Sequence, residues 1–525
     1  MGAGGERRVW GVWGMGALVI LLFAVGTESA HSTPAYRLGQ YEAGGERIGS
    51  QTAYLALEAA SWRGLGDGGV LARKALVVRM VDATTKMLTR GFGECGATVV
   101  LVPPGAAPWA EEEWTRERRV ATPVYFVEED ETWERVAREL DTRSADPLEA
   151  LWPLHNSYRV EVIAPAVAPV VGFPVPVVQA WLPGVSGGAE VPTIALIAHL
   201  DANAAAPGLA RGVREGGSGL VALLEALRVF SDLYREPASR GRYNLLFLAT
   251  SAGADNAAGA KNWLATADSR LTANIEYALC LDELGGSDLY LHSTRRAKNE
   301  QIARLYSSFN DTAEDLSVPL HWPVRKINIQ DAHVYWEHEQ FSRKGVPAGT
   351  LSSRPTATPL SQQGSLTDRL SNFNRVAFEA NTQVLLRALL QRVYDTADSH
   401  AGLFPSNSLL DSDLQDRWLS LLDAHPRHYA FLTLEDPVLT AVRTVFESYS
   451  DDVNVLYHQV SDKEMSKVFY QPTESAISVF LVKPVTFDVL FLVVTCIYLL
   501  VLYIITAGWE ESKRSLSRVF QSKKR

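Results

Sequence analysis

Cysteine is scarce: Cys95, Cys280 and Cys496 are the only three in 525 residues. Three thiols cannot staple a disulfide framework, and none stands at the paired spacing of a zinc ribbon or a redox motif. A broad basic field is missing too. The net charge is -10 and the isoelectric point is near 5.7, so the bulk of the chain lacks the electrostatic footprint of a nucleic-acid binder. Internal repeats and long low-complexity tracts are absent. With 47% hydrophobic and 21% charged residues, the composition is ordinary globular and excludes wholesale disorder and a collagen-like fibre. A chain this long holds two or three units, each dependent on its own core.

Two apolar segments give an address. Arg7 and Arg8 precede a mostly apolar run from Val9 to Val25, the order of a secretory signal, assigned here to residues 1–30. Near the other end, Val489 to Ala507 contains no charged residue. A helix over those residues would be about 28 Å long, enough for the hydrocarbon core of a bilayer. Residues 485–507 are therefore predicted to span a membrane. The tail 508–525 carries Lys513, Arg514, Arg518, Lys523, Lys524 and Arg525, and the positive-inside rule puts it in the cytosol. Everything between is predicted to be lumenal, in a single-pass type I arrangement. Asn310-Asp311-Thr312 is a glycosylation sequon on that side. Asp488 stands at the entry to the span, where a carboxylate needs headgroups, water or a membrane partner.

Between these ends the pattern is α/β. Residues 31–180 read as a small lobe of β-branched runs, such as 98–103 and 122–130, alternating with helical patterns. The proline-valine stretch 160–183 suits edge strands and turns. Residues 181–396 carry three short apolar runs, 193–198, 244–249 and 278–281, of the kind buried in a mostly parallel sheet. An amphipathic helix over about 218–234 separates the first two, with Ser218 as its expected cap. Residues 397–484 read as a helical membrane-proximal stalk, with Asp436 and Pro437 opening one helix.

His199 and Asp201 follow the first run directly, where open α/β sheets place ligand groups. The order IALIAHLDA, EGGSGLVALLEALRVF, NLLFLATSAG, ALCLDELG resembles the zinc aminopeptidases of the M28 family. That resemblance implies a pair of zinc ions held by a first His, a bridging Asp, one Glu of a Glu-Glu pair, an Asp after the third strand and a late His. The other Glu of the pair acts as general base. Matched by position, His199 takes the first ligand's place, Asp201 that of its orienting carboxylate, and Asp282 that of the Asp after the third strand. The remaining places are filled otherwise. Arg214 stands where the bridging Asp belongs, the Glu-Glu pair falls on Gly253-Ala254, and no histidine lies between His338 and His400. No cofactor and no metal site is expected, and Arg214 is expected to replace the lost positive charge beside Asp201 and Asp282. The cluster Trp336-Glu337-His338-Glu339 reads as the start of a core helix, and His425-Pro426-Arg427-His428 as a solvated loop.

The segments 35–42, 122–131, 243–249, 326–341 and 482–488 resemble the nicalin family, nicastrin-like proteins of the endoplasmic reticulum membrane with a degenerate M28 domain. The resemblance implies a non-catalytic scaffold. Its partners would be the lumenal protein nodal modulator, a small multi-pass membrane protein and the translocon-ribosome assembly, in multi-pass membrane protein biogenesis and with an influence on Nodal signalling. The competing expectation is an active lumenal zinc aminopeptidase.

Overall fold

The computed structural model describes residues 31–63, 71–145, 157–186, 191–296, 299–395, 409–460, 467–482 and 485–507. The signal segment 1–30 and the basic tail 508–525 lie outside them.

The N-terminal lobe is a closed seven-stranded barrel. Its order is His31–Arg37, Glu474–Val482, Ser157–Val162, Leu55–Ala60, Lys74–Arg79, Ala97–Val102 and Val124–Glu128. Every residue of Ala97–Val102 is buried, because the strand is covered on both faces, which explains its unbroken apolar reading. One face packs on Trp133 and Val136 of the helix Glu131–Ala145. The other packs on Leu88 and Phe92 of the helix Thr85–Glu94 and on the alanine-rich segment 202–210 of the second unit.

The second unit is built on an eight-stranded sheet ordered Leu320–His321, Leu289–Ser293, Ala348–Ser352, Ile275–Leu281, Thr193–His199, Asn244–Thr250, Phe173–Leu182 and Asp452–Val460. The predicted mostly parallel sheet is in fact mixed. Ala348–Ser352, Ile275–Leu281, Thr193–His199 and Asn244–Thr250 run parallel, while antiparallel pairs flank them on both sides. The helices Ser218–Tyr234 and Arg375–Tyr394 share the core on one face. Leu220, Leu223, Leu224, Leu227 and Phe230 are fully buried there, and each apolar side chain so buried stabilises the packing by about 1.5–3 kcal/mol.

Two expectations give way here. The proline-rich strand Phe173–Leu182 is internal to the sheet, yet its neighbour Asn244–Thr250 pairs only with Val178–Leu182. Pro174 and Pro176 lie beyond that pairing, so their missing N–H groups sit at a local edge. Residues 397–484 are not a helical stalk. They supply the helices Ser412–Ala424 and Pro437–Tyr449, but also the edge strand Asp452–Val460 and the barrel strand Glu474–Val482. Asp436 caps the second helix as expected, accepting from the amides of Val438 and Leu439.

The barrel also anchors the C-terminal end of the chain. Glu474–Val482 is paired on both sides, with His31–Arg37 and Ser157–Val162, and leads into the terminal helix Val485–Ala507. Arg37, 1% exposed, donates to the carbonyl oxygens of Ser50, Tyr470 and Pro472 and to Gln40 Oε1, pinning the start of the barrel to its end. Side chains of the terminal helix are described for residues 491–503. Within that limit, no helix is long and apolar enough to cross a membrane.

Candidate functional site

The C-terminal ends of the parallel strands bring His199, Asp201 and Asp282 to one end of the sheet, as the sequence predicts. Asp201 is 1% exposed. Both its oxygens accept from the Gly253 amide, at 3.1 and 3.0 Å, so its carboxylate holds the loop on which the family's Glu-Glu pair would stand. Burial pushes its pKa up, against the opposing field of His199. The turn before the Ser218 helix closes over the same histidine. Gly216 has φ +73°, and a Cβ there would lie 2.5 Å from His199 Nε2, so only glycine fits.

Asp282 is satisfied by groups that sequence reasoning does not single out. Arg354 Nη2 donates to its Oδ2 at 2.5 Å and Ser352 Oγ at 3.3 Å. The Arg354 guanidinium lies over the Trp336 ring, 4.7 Å from its centroid, and the other partner of that indole is His292, stacked at 4.0 Å. Burial lowers His292 to about 4. Its Nε2 meets the Arg354 carbonyl at 2.8 Å, and a carbonyl only accepts, so the proton sits on Nε2.

Arg214 makes its direct ion pair with Glu283, the neighbour of the predicted Asp282, whose field also acts on it. Its Nε lies 3.2 Å from Glu283 Oε1. The amides of Arg214 and Glu215 are both received by Asp368, at 2.8 Å each. Burial raises Asp368 to about 6 and Glu283 to about 7. Glu215 is occupied in turn, accepting from the Gly364 amide at 2.6 Å. Ser218 is not the side-chain cap that its position suggests; its hydroxyl donates to the Arg214 carbonyl and accepts from the Leu284 amide.

The loop 360–369 therefore straps the cleft, and the N-terminal lobe holds the strap. Arg116 donates to the carbonyls of Gln362, Gln363 and Gly364. Glu112, 4% exposed, accepts from the Leu366 and Ala205 amides and from Ser365 Oγ.

The cluster at 336–339 is buried core, as expected, with His338–Arg343 a short helix. Glu337 adds something the sequence does not signal: its carboxylate faces the same cleft. Thr250 Oγ1 donates to Oε1 at 2.6 Å, while the buried Oε2 has no hydrogen-bond partner among the described residues. Burial raises its pKa, as do the fields of Asp201 and Asp282. The loop 425–428, which reads as solvated, is another correction. Arg427 is 0% and His428 4% exposed. Arg427 donates to the Gly212 carbonyl at 2.9 Å, and the fields of Asp201 and Asp368 act on it against a burial that lowers it to about 10.

Two small cavities remain in this cleft, of about 20 and 10 Å³, each the room of roughly one water. Among the described residues, no group of three or more His, Cys, Asp or Glu side chains is placed to hold a metal ion. Of the other predicted sites, Asn310 lies on the helix Glu300–Asp315, its amide donating to Glu314 at 2.8 Å. Asp488 is in the first turn of the terminal helix, but its side chain lies outside the described residues.

Residues 180–389 match the model of Peptidase family M28. The fold is similar to that of nicastrin, a gamma-secretase component, with a TM-score of 0.61 over 86% of this chain and 99% of that one at 10% identity. Human BOS complex subunit NCLN is 26% identical over 507 residues, covering 91% of this chain and 89% of the relative. The chain is similar to the nicalins. The Danio rerio BOS complex subunit is 27% identical over 93% of this chain and 92% of its own. The Caenorhabditis elegans relative, named nicalin, is 26% identical over 70% of this chain and 69% of its own. The nicalin likeness extends well beyond the M28 match, into the barrel on one side and the closing strands on the other.

Proposed function

We propose that this chain is a non-catalytic scaffold subunit of an endoplasmic reticulum membrane complex. It is held by its terminal helix as a single-pass type I protein, with residues 31–484 in the lumen and the basic tail in the cytosol. The observation that carries the reading is the set of arginines in the old catalytic cleft. Arg354 occupies the carboxylate of Asp282 and Arg427 is buried within the field of Asp201. Arg214 stands at the bridging position and pairs with Glu283. A bound dication would be repelled by all three, and Gly253-Ala254 offer neither ligand nor base, so the donor set does not fit the family's zinc pair.

What remains is a barrel-anchored body above one helix. The relatives named as BOS complex subunits support reading that body as one member of an assembly. By resemblance to the nicalins, its partners are nodal modulator and a small multi-pass membrane protein beside the translocon and ribosome. The work of that assembly is multi-pass membrane protein biogenesis, with an influence on Nodal signalling. Asp488 is a contact for the membrane partner, and Asn310 carries a glycan. The competing reading, a lumenal zinc aminopeptidase, has the convergence of Glu337 with His199 and Asp282 in its favour, but Arg354 already neutralises Asp282. Purification of the full chain in mild detergent is expected to bring down a large lumenal partner and a small multi-pass one in constant ratio. Recovery of the chain alone under conditions that preserve other membrane complexes would refute the scaffold.

A further inference from the structure

At the other end of the eight-stranded sheet, away from the His199 cleft, lies a separate cavity of about 270 Å³. Tyr277, near the start of Ile275–Leu281, forms part of its floor, and Asp282, just past that strand's end, lies about 16 Å away along it. Neither the cleft nor the barrel shares this cavity.

Its chemistry is one-sided. Arg295 and Arg296 line it, and among the described residues no Asp or Glu does. Neither arginine has an ion-pair partner among the described residues, although a guanidinium is the side chain best suited to grip an oxyanion in a fork of parallel hydrogen bonds. The floor adds a donor. The hydroxyls of Tyr277 and Tyr306 lie 3.2 Å apart, so one hydrogen is used between them and the other remains to be given. Tyr277 is 2% exposed, and Tyr306 is braced at 4.8 Å by the Trp322 ring, which holds both rings in place at the floor. The rest of the wall is mixed: Ile302, Val346 and Pro347 supply an apolar patch beside the polar Thr294, Asn299 and Ser342. The volume is at the lower end for small-molecule sites, enough for one ring or a short stem.

We propose that this cavity binds a small organic anion: a phosphate or carboxylate group, held by Arg295, Arg296 and the tyrosine pair, on a short apolar stem lodged against Ile302 and Val346. The site is independent of the vestigial cleft.

The test is calorimetric titration of the full chain in detergent with phenyl phosphate, phenylacetate, inorganic phosphate and benzyl alcohol. Phenyl phosphate or phenylacetate should bind saturably, about tenfold or more tighter than inorganic phosphate, and benzyl alcohol should not bind. The double variant Arg295→Ala/Arg296→Ala should weaken that affinity at least about tenfold. Tyr306→Phe should weaken it less, and the distant Arg443→Ala should leave it unchanged. Both arginines are exposed, so their loss does not threaten the fold. Absence of saturable binding by both aryl anions would overturn the proposal. So would unaltered binding by the double variant, or equal binding of benzyl alcohol. Inorganic phosphate binding as tightly as phenyl phosphate would remove the apolar stem and with it the assigned ligand class.

Discussion

Arg354 Nη2 lies 2.5 Å from Asp282 Oδ2, with the two side chains 12% and 8% exposed. A buried pair of this kind says little about net stability, but breaking it leaves one charge stranded. Arg354→Ala should therefore cost about 3–5 kcal/mol in urea unfolding of the full chain. Adding Asp282→Asn should recover a substantial part. Strictly additive losses in the double variant would mean the pair is not coupled.

The barrel depends on Arg37 in a different way, since its partners are neutral carbonyls on the segments that open and close the sheet. Arg37→Met keeps most of the volume and leaves the carbonyls of Ser50, Tyr470 and Pro472 without their donor. The expected loss is about 2–4 kcal/mol, accompanied by faster proteolysis near residues 470–482. A change below about 0.5 kcal/mol, the range of ordinary surface substitutions, would show that the pin is dispensable.

Glu112 couples the lobe to the strap over the cleft. In Glu112→Ala the amides of Ala205 and Leu366 lose their acceptor, and hydrogen exchange at both should accelerate by about tenfold or more. Exchange that quickens at Ala205 alone would separate the strap from the lobe.

His428 gives a pH-dependent prediction. Burial, reinforced by the fields of Arg116 and Lys467 from neighbouring elements, lowers it to about 3. The folded state keeps it neutral while the unfolded chain takes up a proton near pH 6.5, so its contribution is intact above that pH and is lost as the pH falls toward 3. The ring packs against Phe469 at 5.1 Å and Tyr429 at 4.7 Å, a setting that a phenylalanine can occupy. His428→Phe should lose less stability than the parent between pH 6 and 4.5, a difference of about 1.4 kcal/mol per pH unit. Parallel stability curves would contradict a buried neutral histidine.

The strand-helix-strand grammar of the second unit is legible because the runs 193–198, 244–249 and 278–281, within Thr193–His199, Asn244–Thr250 and Ile275–Leu281, are wholly buried and almost wholly apolar. Asp452–Val460 and Glu474–Val482 are not legible as strands of two different sheets. Both pair with segments roughly 280 to 450 residues earlier in the chain, and local periodicity carries no information about such partners. The site divides in the same way. His199, Asp201 and Asp282 follow strand ends and can be placed by counting. Arg354 follows the fourth parallel strand in the same manner, but the family pattern asks that window for a histidine and gives an arginine there no role. Arg427 looks solvated because its loop is polar and proline-containing, and only the tertiary packing around Gly212 and Asp201 buries it.

Metal content and peptidase activity, measured together on the purified full chain, test the account most directly. After incubation with zinc and removal of the excess, the chain should retain far less than one zinc per molecule and show no chelator-sensitive hydrolysis of aminoacyl amides. Two tightly held zinc ions per chain, with hydrolysis that a chelator abolishes and zinc restores, would contradict it.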